Sequence, residues 1–341
     1  MISATLQNVM IASHLHKRLL EFLSTVSRPL IVVLGPTASG KTAFSIELAH
    51  IIPDAEIINA DSRQLYKFLD IGTAKITRAD MQGVPHHLLD VLDPKEEATA
   101  AWYKREAEKI IEDVHAREHV PILVGGSMLY ISAVIDGLEF VSASDPVLRK
   151  RLEDVYDSDD GASLYQRLLE LDPDTAIEFS VKNKPYVVRA MEIYERTGSK
   201  PSDARRQSNC PYDLFIIGIE RPRDAITRRI NARTAELFRN GWTEEVQGLL
   251  TRGYTANDPA MKSHGYREII EWLPRSHGSS ESIPSGAEGL TMTFSVSSRA
   301  VSRDDTLQEL QETISAKTRQ YAKRQQTWWK HDDRITWVNF E

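Results

Sequence analysis

The sequence predicts an α/β protein with a parallel sheet at its core, a helical insertion domain and a largely helical C-terminal part. Apolar runs with the length of buried strands alternate with helical patterns up to residue 141. Helical runs then follow one another from 142 to 211 without a strand-like stretch, and a strand pattern returns at 212–219. Helices placed between strands indicate an insertion. We therefore expect a core formed by 28–141 and 212–341, interrupted by an insertion at 142–211.

The core begins with a glycine-rich loop between a predicted strand and a predicted helix. The apolar run 30–34 precedes Gly35-Pro-Thr-Ala-Ser-Gly-Lys-Thr42, and a helical pattern covers 43–52. Gly35 and Gly40 allow successive backbone N–H groups to point inward at the helix N-terminus, where phosphate oxygens bind. Lys41 adds a positive charge, and the Thr42 hydroxyl is placed to bind Mg²⁺. The pattern predicts a P-loop that holds a di- or triphosphate.

A carboxylate follows the second predicted strand. Residues 55–60 form this strand, and Asp61 comes directly after it. Because ligands of parallel α/β sheets bind at the carboxyl ends of the strands, we expect Asp61 beside the P-loop as a candidate general base. The alternative is an N-cap for a helix over 62–67, and the two roles are compatible.

The next predicted strand, 120–124, ends in Gly125-Gly-Ser127. Hydrolytic P-loop NTPases usually place an acidic residue at this point to hold Mg²⁺ and water. A small tip instead allows a substrate or a diphosphate to approach closely. The neighbouring His86 and His87 have no third metal ligand at suitable spacing, so we expect them in structural or substrate hydrogen bonds.

The C-terminal part reads as helices over 223–240, 243–252 and 305–330, with a strand-like end at 334–339. The Ser/Gly-rich segment 274–302 is predicted to be a loop. Residues 1–27 are expected to form a helix or an extension, with a targeting peptide as the alternative.

Composition narrows the class of protein. The chain has 341 residues, of which 41% are hydrophobic and 27% charged, with a net charge of −7. Its single cysteine excludes an internal disulfide, and no apolar run has the length of a membrane span, so we expect a cytoplasmic protein with no membrane partner. The net charge gives no global attraction to nucleic acid, although basic residues cluster at 221–233 and 317–330.

Several separated motifs occur in order along the chain. They are Gly35-Pro-Thr-Ala-Ser-Gly-Lys-Thr42, Asn59-Ala-Asp-Ser-Arg-Gln-Leu-Tyr66, Asp70-Ile-Gly-Thr-Ala-Lys75, Pro85-His-His-Leu-Leu-Asp90, Leu123-Val-Gly-Gly-Ser-Met-Leu-Tyr130, Arg189-Ala-Met-Glu-Ile-Tyr194, Gly265-Tyr-Arg-Glu268 and Thr318-Arg-Gln-Tyr-Ala-Lys-Arg-Gln325. Over residues 29–338 the chain resembles the tRNA dimethylallyltransferases, also called tRNA isopentenyltransferases.

This resemblance implies a donor, an acceptor and a set of catalytic residues. The loop would hold the diphosphate of dimethylallyl diphosphate, and the acceptor would be the exocyclic amino group of the adenine on the 3′ side of a tRNA anticodon, flipped out of its stack. Asp61 would be the general base, with Ser127 and Arg229 as the other catalytic residues. Diphosphate contacts would come from Gly35, Thr37, Ala38, Ser39, Gly40, Lys41, Thr42 and Arg233, with Mg²⁺ on Thr42.

The resemblance also implies an RNA-binding surface. The anticodon stem-loop would be bound by the insertion and the C-terminal helix, through Ser62, Arg63, Gln64, Lys75, Arg189, Lys323, Arg324 and Gln325. We expect a monomer. The chain departs from the family in two places. Ser127 stands where threonine is usual, which keeps the hydroxyl, and the segment 184–188 lacks an arginine that is often present in the family and would contact a phosphate.

Three other functions fit part of the pattern. An adenylate isopentenyltransferase would use the same loop and base but needs little RNA surface, so the insertion and the basic C-terminal helix favour tRNA. A small-molecule kinase would use Asp61 to deprotonate a hydroxyl with ATP in the loop, and the missing acid after strand 120–124 argues against it. A non-enzymatic P-loop module leaves the carboxylate beside the loop unexplained.

Overall fold

The computed structural model describes residues 4–140, 145–203, 209–276 and 303–340. Within those ranges the strands are β1 (Pro29–Leu34), β2 (Ala55–Ala60), β3 (His86–His87), β4 (Val120–Gly125), β5 (Asp213–Glu220) and β6 (Ile335–Asn339). The helices are α1 (Ala4–Thr25), α2 (Lys41–Ile51), α3 (Ala100–Ala116), α4 (Met128–Ile135), α5 (Pro146–Ser158), α6 (Ala162–Leu171), α7 (Pro173–Glu178), α8 (Lys184–Thr197), α9 (Arg223–Arg239), α10 (Trp242–Thr251), α11 (Tyr266–Ser276) and α12 (Arg303–Trp329).

The strands form one sheet in the order β3-β2-β4-β1-β5-β6, and every paired strand is parallel. The central strand β1 is buried from Leu30 to Leu34, because its side chains are apolar on both faces. A parallel sheet places the carboxyl ends of its strands along one edge. The predicted α/β fold with a parallel sheet is therefore confirmed, and the segments that follow β1, β2 and β4 meet at this edge.

The chain divides into two compact units. The first contains the sheet and consists of Met1–Thr99, Glu106–Ile131 and Tyr212–Glu341. The second consists of Ala100–Arg105 and Ser132–Pro211, so it begins ten residues before the predicted insertion at 142 and also takes in the start of α3. Helices α5 to α8 enclose a core of their own, which includes Leu152, Leu168, Val187 and Met191.

The N-terminal helix α1 packs on the sheet. Leu15 and Leu19 are buried in the same apolar cluster as Ile31 and Val33 of β1. The strand-like C-terminal segment pairs in parallel with β5 as strand β6, in register from Ile216 with Ile335 onwards. None of the helices in the described part of the chain is both long and apolar enough to span a membrane.

Two local predictions were wrong, and two elements were missed. Residues 62–67 form turns, not a helix, because the backbone N–H of Ser62 bonds Ser127 Oγ and that of Arg63 bonds Asp61 Oδ1. The two-residue strand β3 and helix α11 were not predicted. Because α11 continues to Ser276, the predicted loop at 274–302 starts too early, and its remainder lies outside the described residues.

Candidate active site

The glycine-rich loop turns sharply into α2. Gly40 precedes the helix with a φ of 100°, in the left-handed region that a residue with a side chain rarely adopts. Two arginines hold the loop from outside: Arg221 Nε donates to the Ser39 carbonyl at 2.7 Å, and Arg229 Nε donates to the Ala38 carbonyl at 2.6 Å. Because these bonds occupy the carbonyls of Ala38 and Ser39, the polar groups that remain next to Gly40 are backbone N–H groups and guanidinium nitrogens.

Lys41 belongs to a half-buried group of charges next to the loop. Its Nζ donates to the Pro36 carbonyl at 2.7 Å. Burial lowers the pKa of Lys41 to about 8, while the Asp61 carboxylate opposes that shift and Arg233 adds to it. Burial also lowers the pKa of Arg233, and Asp61 again opposes the shift. The site therefore carries two half-buried cations close to one carboxylate, with an excess of positive charge that an anionic ligand would neutralise.

Asp61 is fixed by its own neighbours. Its backbone N–H donates to Asn59 Oδ1 at 3.0 Å, and Asn59 Nδ2 donates to the Leu88 carbonyl at 2.9 Å. Oδ1 of Asp61 accepts the N–H of Arg63 at 2.9 Å, whereas Oδ2 makes no hydrogen bond to another described residue. One carboxylate oxygen is therefore held by the backbone, and the other is available to take a proton.

The Gly125–Ser127 turn lies against Asp61 and the last helix. Ser127 Oγ accepts the N–H of Ser62 at 2.8 Å, and the Ser127 N–H donates to the Ala60 carbonyl at 3.1 Å. The Tyr321 hydroxyl donates to the Gly126 carbonyl at 3.2 Å. Because burial raises the pKa of Tyr321 to about 12, this phenol stays protonated at neutral pH.

Arg233 is positioned by the segment 70–75. One of its terminal nitrogens donates to the Thr73 carbonyl at 3.2 Å. This segment is held in turn by Glu245, whose carboxylate accepts the N–H groups of Asp70 and Ile71 at 2.8 and 2.6 Å. Glu245 also accepts the Gly72 N–H and the Tyr266 hydroxyl. Sequence reasoning missed Glu245 because nothing in the chain marks it as facing the backbone of a segment about 175 residues away.

Two cavities meet at these residues. One has a volume of about 830 Å³ and is lined by the glycine-rich loop, Lys41, Thr42 and Arg229. The other has a volume of about 750 Å³ and is lined by aromatic and basic side chains that include Trp242, Tyr266, Lys317 and Arg324. Both are bordered by Thr37, Ala38, Asp61, Arg233 and Tyr321. Asp61, the candidate general base, thus lies at the boundary between the cavity of the glycine-rich loop and the cavity lined by aromatic and basic side chains.

The predicted RNA contacts fall into three groups. Arg63, Lys323 and Arg324 are exposed, and the first and last also line the 750 Å³ cavity. Ser62 and Gln64 are half-buried, and Gln64 Nε2 donates to the Thr73 and Ala74 carbonyls.

The other three predicted contacts are committed to bonds within the chain. The Lys75 side chain is 5% exposed and is bonded to Asp70 and Asp90. Gln325 is 2% exposed. Arg189 belongs to the helical unit, where it pairs with the buried Glu192 at 2.7 Å.

The histidines have structural partners, as expected. His87 Nε2 lies 2.6 Å from the buried carboxylate of Glu56, and His86 Nδ1 lies 2.8 Å from the Val84 carbonyl. Arg117 and His119 bond the same carboxylate, and these partners outweigh its burial and lower the pKa of Glu56 to about 2.

The donor atoms near the loop fit a magnesium ion bound mainly through its substrate. Thr42 is exposed, lines the 830 Å³ cavity and makes no side-chain hydrogen bond to another described residue. Mg²⁺ keeps several water ligands and binds through few protein oxygens together with substrate phosphates. No cluster of three or more His, Cys, Asp or Glu side chains able to hold a metal occurs in the described ranges.

The fold and the site together define an α/β protein with a phosphate-type loop and a carboxylate at the adjoining strand end. The chain belongs to the IPP transferase family, whose model matches residues 64–332. The matched region begins at Gln64, three residues after Asp61. It includes Tyr321 and Gln325 of the site. The predicted family is thereby confirmed.

Individual relatives agree with this assignment. The chain is 37% identical to the tRNA dimethylallyltransferase of Geobacter sulfurreducens over 314 residues, which cover 91% of this chain and 92% of the relative. The enzyme of the same name from Macrococcus caseolyticus is 37% identical over 313 residues, covering 91% and 90% of the two chains.

Solved structures give the same result. The tRNA isopentenylpyrophosphate transferase of Bacillus halodurans has a TM-score of 0.62 and 33% identity, with 92% of this chain and 90% of that chain covered. A eukaryotic dimethylallyltransferase acting on tRNA has a TM-score of 0.70 and 26% identity, with 92% and 74% covered.

Proposed function

We propose that this protein transfers the dimethylallyl group from dimethylallyl diphosphate to the exocyclic amino group of the adenine on the 3′ side of a tRNA anticodon. One observation carries this proposal beyond family membership: Asp61 borders both the cavity of the glycine-rich loop and the cavity lined by aromatic and basic side chains. Donor and acceptor would occupy the two cavities and meet at the carboxylate.

The loop cavity suits the diphosphate of the donor. Lys41, Arg229 and Arg233 supply positive charge on its walls, and the backbone N–H groups at the start of α2 supply hydrogen bonds. Thr42 would hold Mg²⁺, which when bound neutralises part of the diphosphate charge. The loop thus binds the leaving group and takes no part in nucleotide hydrolysis.

The reaction is a displacement at the allylic carbon of the donor. The bond from the adenine amino nitrogen to this carbon forms while the carbon–oxygen bond to diphosphate breaks, and the departing diphosphate keeps the electron pair. Asp61 Oδ2 takes one proton from the amino nitrogen. Negative charge grows on the diphosphate as it leaves, so Lys41, Arg229 and Arg233 stabilise the transition state more than the ground state.

The second cavity suits a flipped adenine within an RNA strand. Its aromatic walls offer stacking surfaces, and Arg63 and Arg324 lie at its border, where phosphates of the acceptor strand would pass. Lys323 is exposed on the same helix as Arg324. We propose that the protein acts as a monomer.

An acceptor competition tests the proposal. Radiolabelled dimethylallyl diphosphate is incubated with the protein and either an anticodon stem-loop or AMP, and the products are separated. We expect label on the RNA only. Label on AMP alone would identify an adenylate isopentenyltransferase instead. In a separate incubation with ATP, phosphate transfer without any prenyl transfer would identify a kinase.

A further inference from the structure

We propose that Gln325 is a positioning residue of the donor site, which fixes the glycine-rich loop against the Gly125–Ser127 turn, and that it does not contact RNA. The inference rests on the proposed function, because it assigns Gln325 to the diphosphate side of that reaction. It replaces the RNA contact expected from the position of Gln325 in the basic C-terminal helix.

The two ends of the Gln325 amide bind two different segments of the site. Its Oε1 accepts the backbone N–H of Thr37 at 2.8 Å, and its Nε2 donates to the Gly126 carbonyl at 2.7 Å. These partners are 288 and 199 residues away in sequence. One side chain therefore ties the loop that follows β1 to the turn that follows β4.

Burial makes this bridge rigid and excludes other partners. Gln325 is only 2% exposed, so a strand of RNA has no access to its amide. A Cβ at Gly126 would lie 2.3 Å from Gln325 Nε2, which shows how closely the turn approaches the amide. Tyr321, one helical turn earlier in α12, donates to the same Gly126 carbonyl. The buried face of α12 thus holds the turn with two donors.

The bridge lies next to the groups that bind the leaving group. Thr37 N–H is already used by Gln325, so this amide orients the loop but does not itself bind phosphate. The next residue, Ala38, has a φ of 61°, and its carbonyl is held by Arg229. On the other side, Gly126 precedes Ser127, which is bonded to Ser62 beside Asp61. A displaced bridge would move both walls of the diphosphate cavity.

The chemistry of the bridge requires one acceptor and one donor on the same side chain. Glutamine provides both. An ionised glutamate can accept from Thr37 but places a second oxygen against the Gly126 carbonyl, whereas a protonated glutamate restores the donor. Burial raises the pKa of a carboxyl group, while the positive charges of Lys41, Arg229 and Arg233, which line the same cavity as Gln325, oppose that shift. A glutamate at this position is therefore expected to substitute for glutamine in acid and to fail in base.

The test compares Gln325→Glu with the wild type and with Lys323→Ala, a variant on the exposed face of the same helix. Binding of dimethylallyl diphosphate alone and of an anticodon stem-loop alone is measured by calorimetry between about pH 6 and about pH 8.5, a window expected to span the titration of a buried carboxyl. We expect Gln325→Glu to weaken donor binding about tenfold at the upper pH and to approach the wild type at the lower pH. Its affinity for RNA, and the salt dependence of that affinity, should equal those of the wild type, whereas Lys323→Ala should change only RNA binding.

Two results would overturn the inference. One is donor affinity equal to wild type at every pH in Gln325→Glu, and the other is a loss of RNA affinity with a shallower salt slope in that variant. Gln325→Glu preserves the size and shape of the side chain, and Gln325→Leu, which removes both bonds, should lose donor affinity at all pH values. A wild-type protein that transfers no prenyl group would refute the proposed function separately, since the binding comparisons do not depend on turnover.

Discussion

The backbone N–H of Ser62 donates a 2.8 Å hydrogen bond to the side-chain oxygen of Ser127, 65 residues further along the chain. This bond joins the ends of β2 and β4 at the sheet edge where the two cavities meet. It fixes the position of Asp61, the residue before Ser62, relative to the Gly125–Ser127 turn. Ser127 thus helps to position Asp61, in addition to any contact that its hydroxyl makes with the leaving group.

The Ser62–Ser127 bond predicts the effect of two substitutions. Ser127→Ala removes the acceptor and leaves the Ser62 N–H unpaired, which costs about 1–3 kcal/mol when the group is buried. We expect kcat/KM for prenyl transfer to fall about tenfold or more, since part of that loss is expressed in the placement of Asp61. Ser127→Thr keeps the oxygen and serves as the control. Equal rates for the alanine and threonine variants would show that the bond has no role in catalysis.

Lys41 predicts a pH dependence of donor binding. In the protein without donor, burial lowers the pKa of the Lys41 side chain to about 8. Only the protonated, charged form of this side chain attracts a diphosphate. As the pH rises through this value, the protein must take up a proton in order to bind the donor, so affinity falls by up to about tenfold per pH unit. Calorimetry in two buffers of different ionisation enthalpy would measure this uptake. Lys41→Met should bind more weakly and show no uptake, and a wild-type affinity that stays constant from about pH 7 to about pH 9.5 would contradict the assignment.

Glu245 predicts a coupling between stability and catalysis. Glu245→Gln leaves one oxygen for the N–H groups of Asp70, Ile71 and Gly72, and it turns an amide donor towards them. We expect a loss of about 2 kcal/mol in the free energy of unfolding, measured in urea. Because the same segment supplies the Thr73 carbonyl that holds Arg233, kcat should fall more than KM rises. The exposed neighbour Glu244 provides the control. If Glu244→Gln lost as much activity as Glu245→Gln, the proposed role of Glu245 in holding the segment 70–75 would be contradicted.

The exposed basic residues of α12 predict a salt effect. Replacement of both Lys323 and Arg324 by alanine should weaken binding of the anticodon stem-loop and reduce the slope of log K against log salt by about 1–2. A double variant with Lys17→Ala and Lys109→Ala loses the same charge at exposed positions on α1 and α3. Similar slopes for the two double variants would place the RNA elsewhere.

The sequence was informative where local pattern and sheet topology coincide. The apolar run before Gly35 and the helical pattern after Thr42 predicted β1, the loop and α2, and Asp61 was expected at the same edge because parallel strands share it. By contrast, a turn-forming and a helix-forming stretch look alike at 62–67, where hydrogen bonds from Ser62 to Ser127 decide the outcome. β3 has only two residues, too few for a periodic signal.

The roles of the polar residues around the site depend on distant partners. The amide of Gln325 bonds segments 288 and 199 residues away, and Glu245 bonds the backbone of a segment about 175 residues away. No local pattern records such pairings. Lys75 illustrates the same point, since its side chain is 5% exposed and pairs with Asp70 and Asp90 within the chain, whereas the family resemblance implied a contact with the anticodon stem-loop.

The central claim is that Asp61 removes the proton during prenyl transfer to tRNA. The most direct measurement is a single-turnover reaction of wild type and Asp61→Asn with dimethylallyl diphosphate and tRNA, with mass spectrometry of the digested RNA and assay of released diphosphate. Asn keeps the oxygen that accepts the Arg63 N–H. We expect one prenyl group on the adenine 3′ to the anticodon per diphosphate released by the wild type, and a rate at least about a hundredfold lower for Asp61→Asn. A rate for Asp61→Asn within about threefold of wild type, a difference of less than 1 kcal/mol in the barrier, would contradict the account.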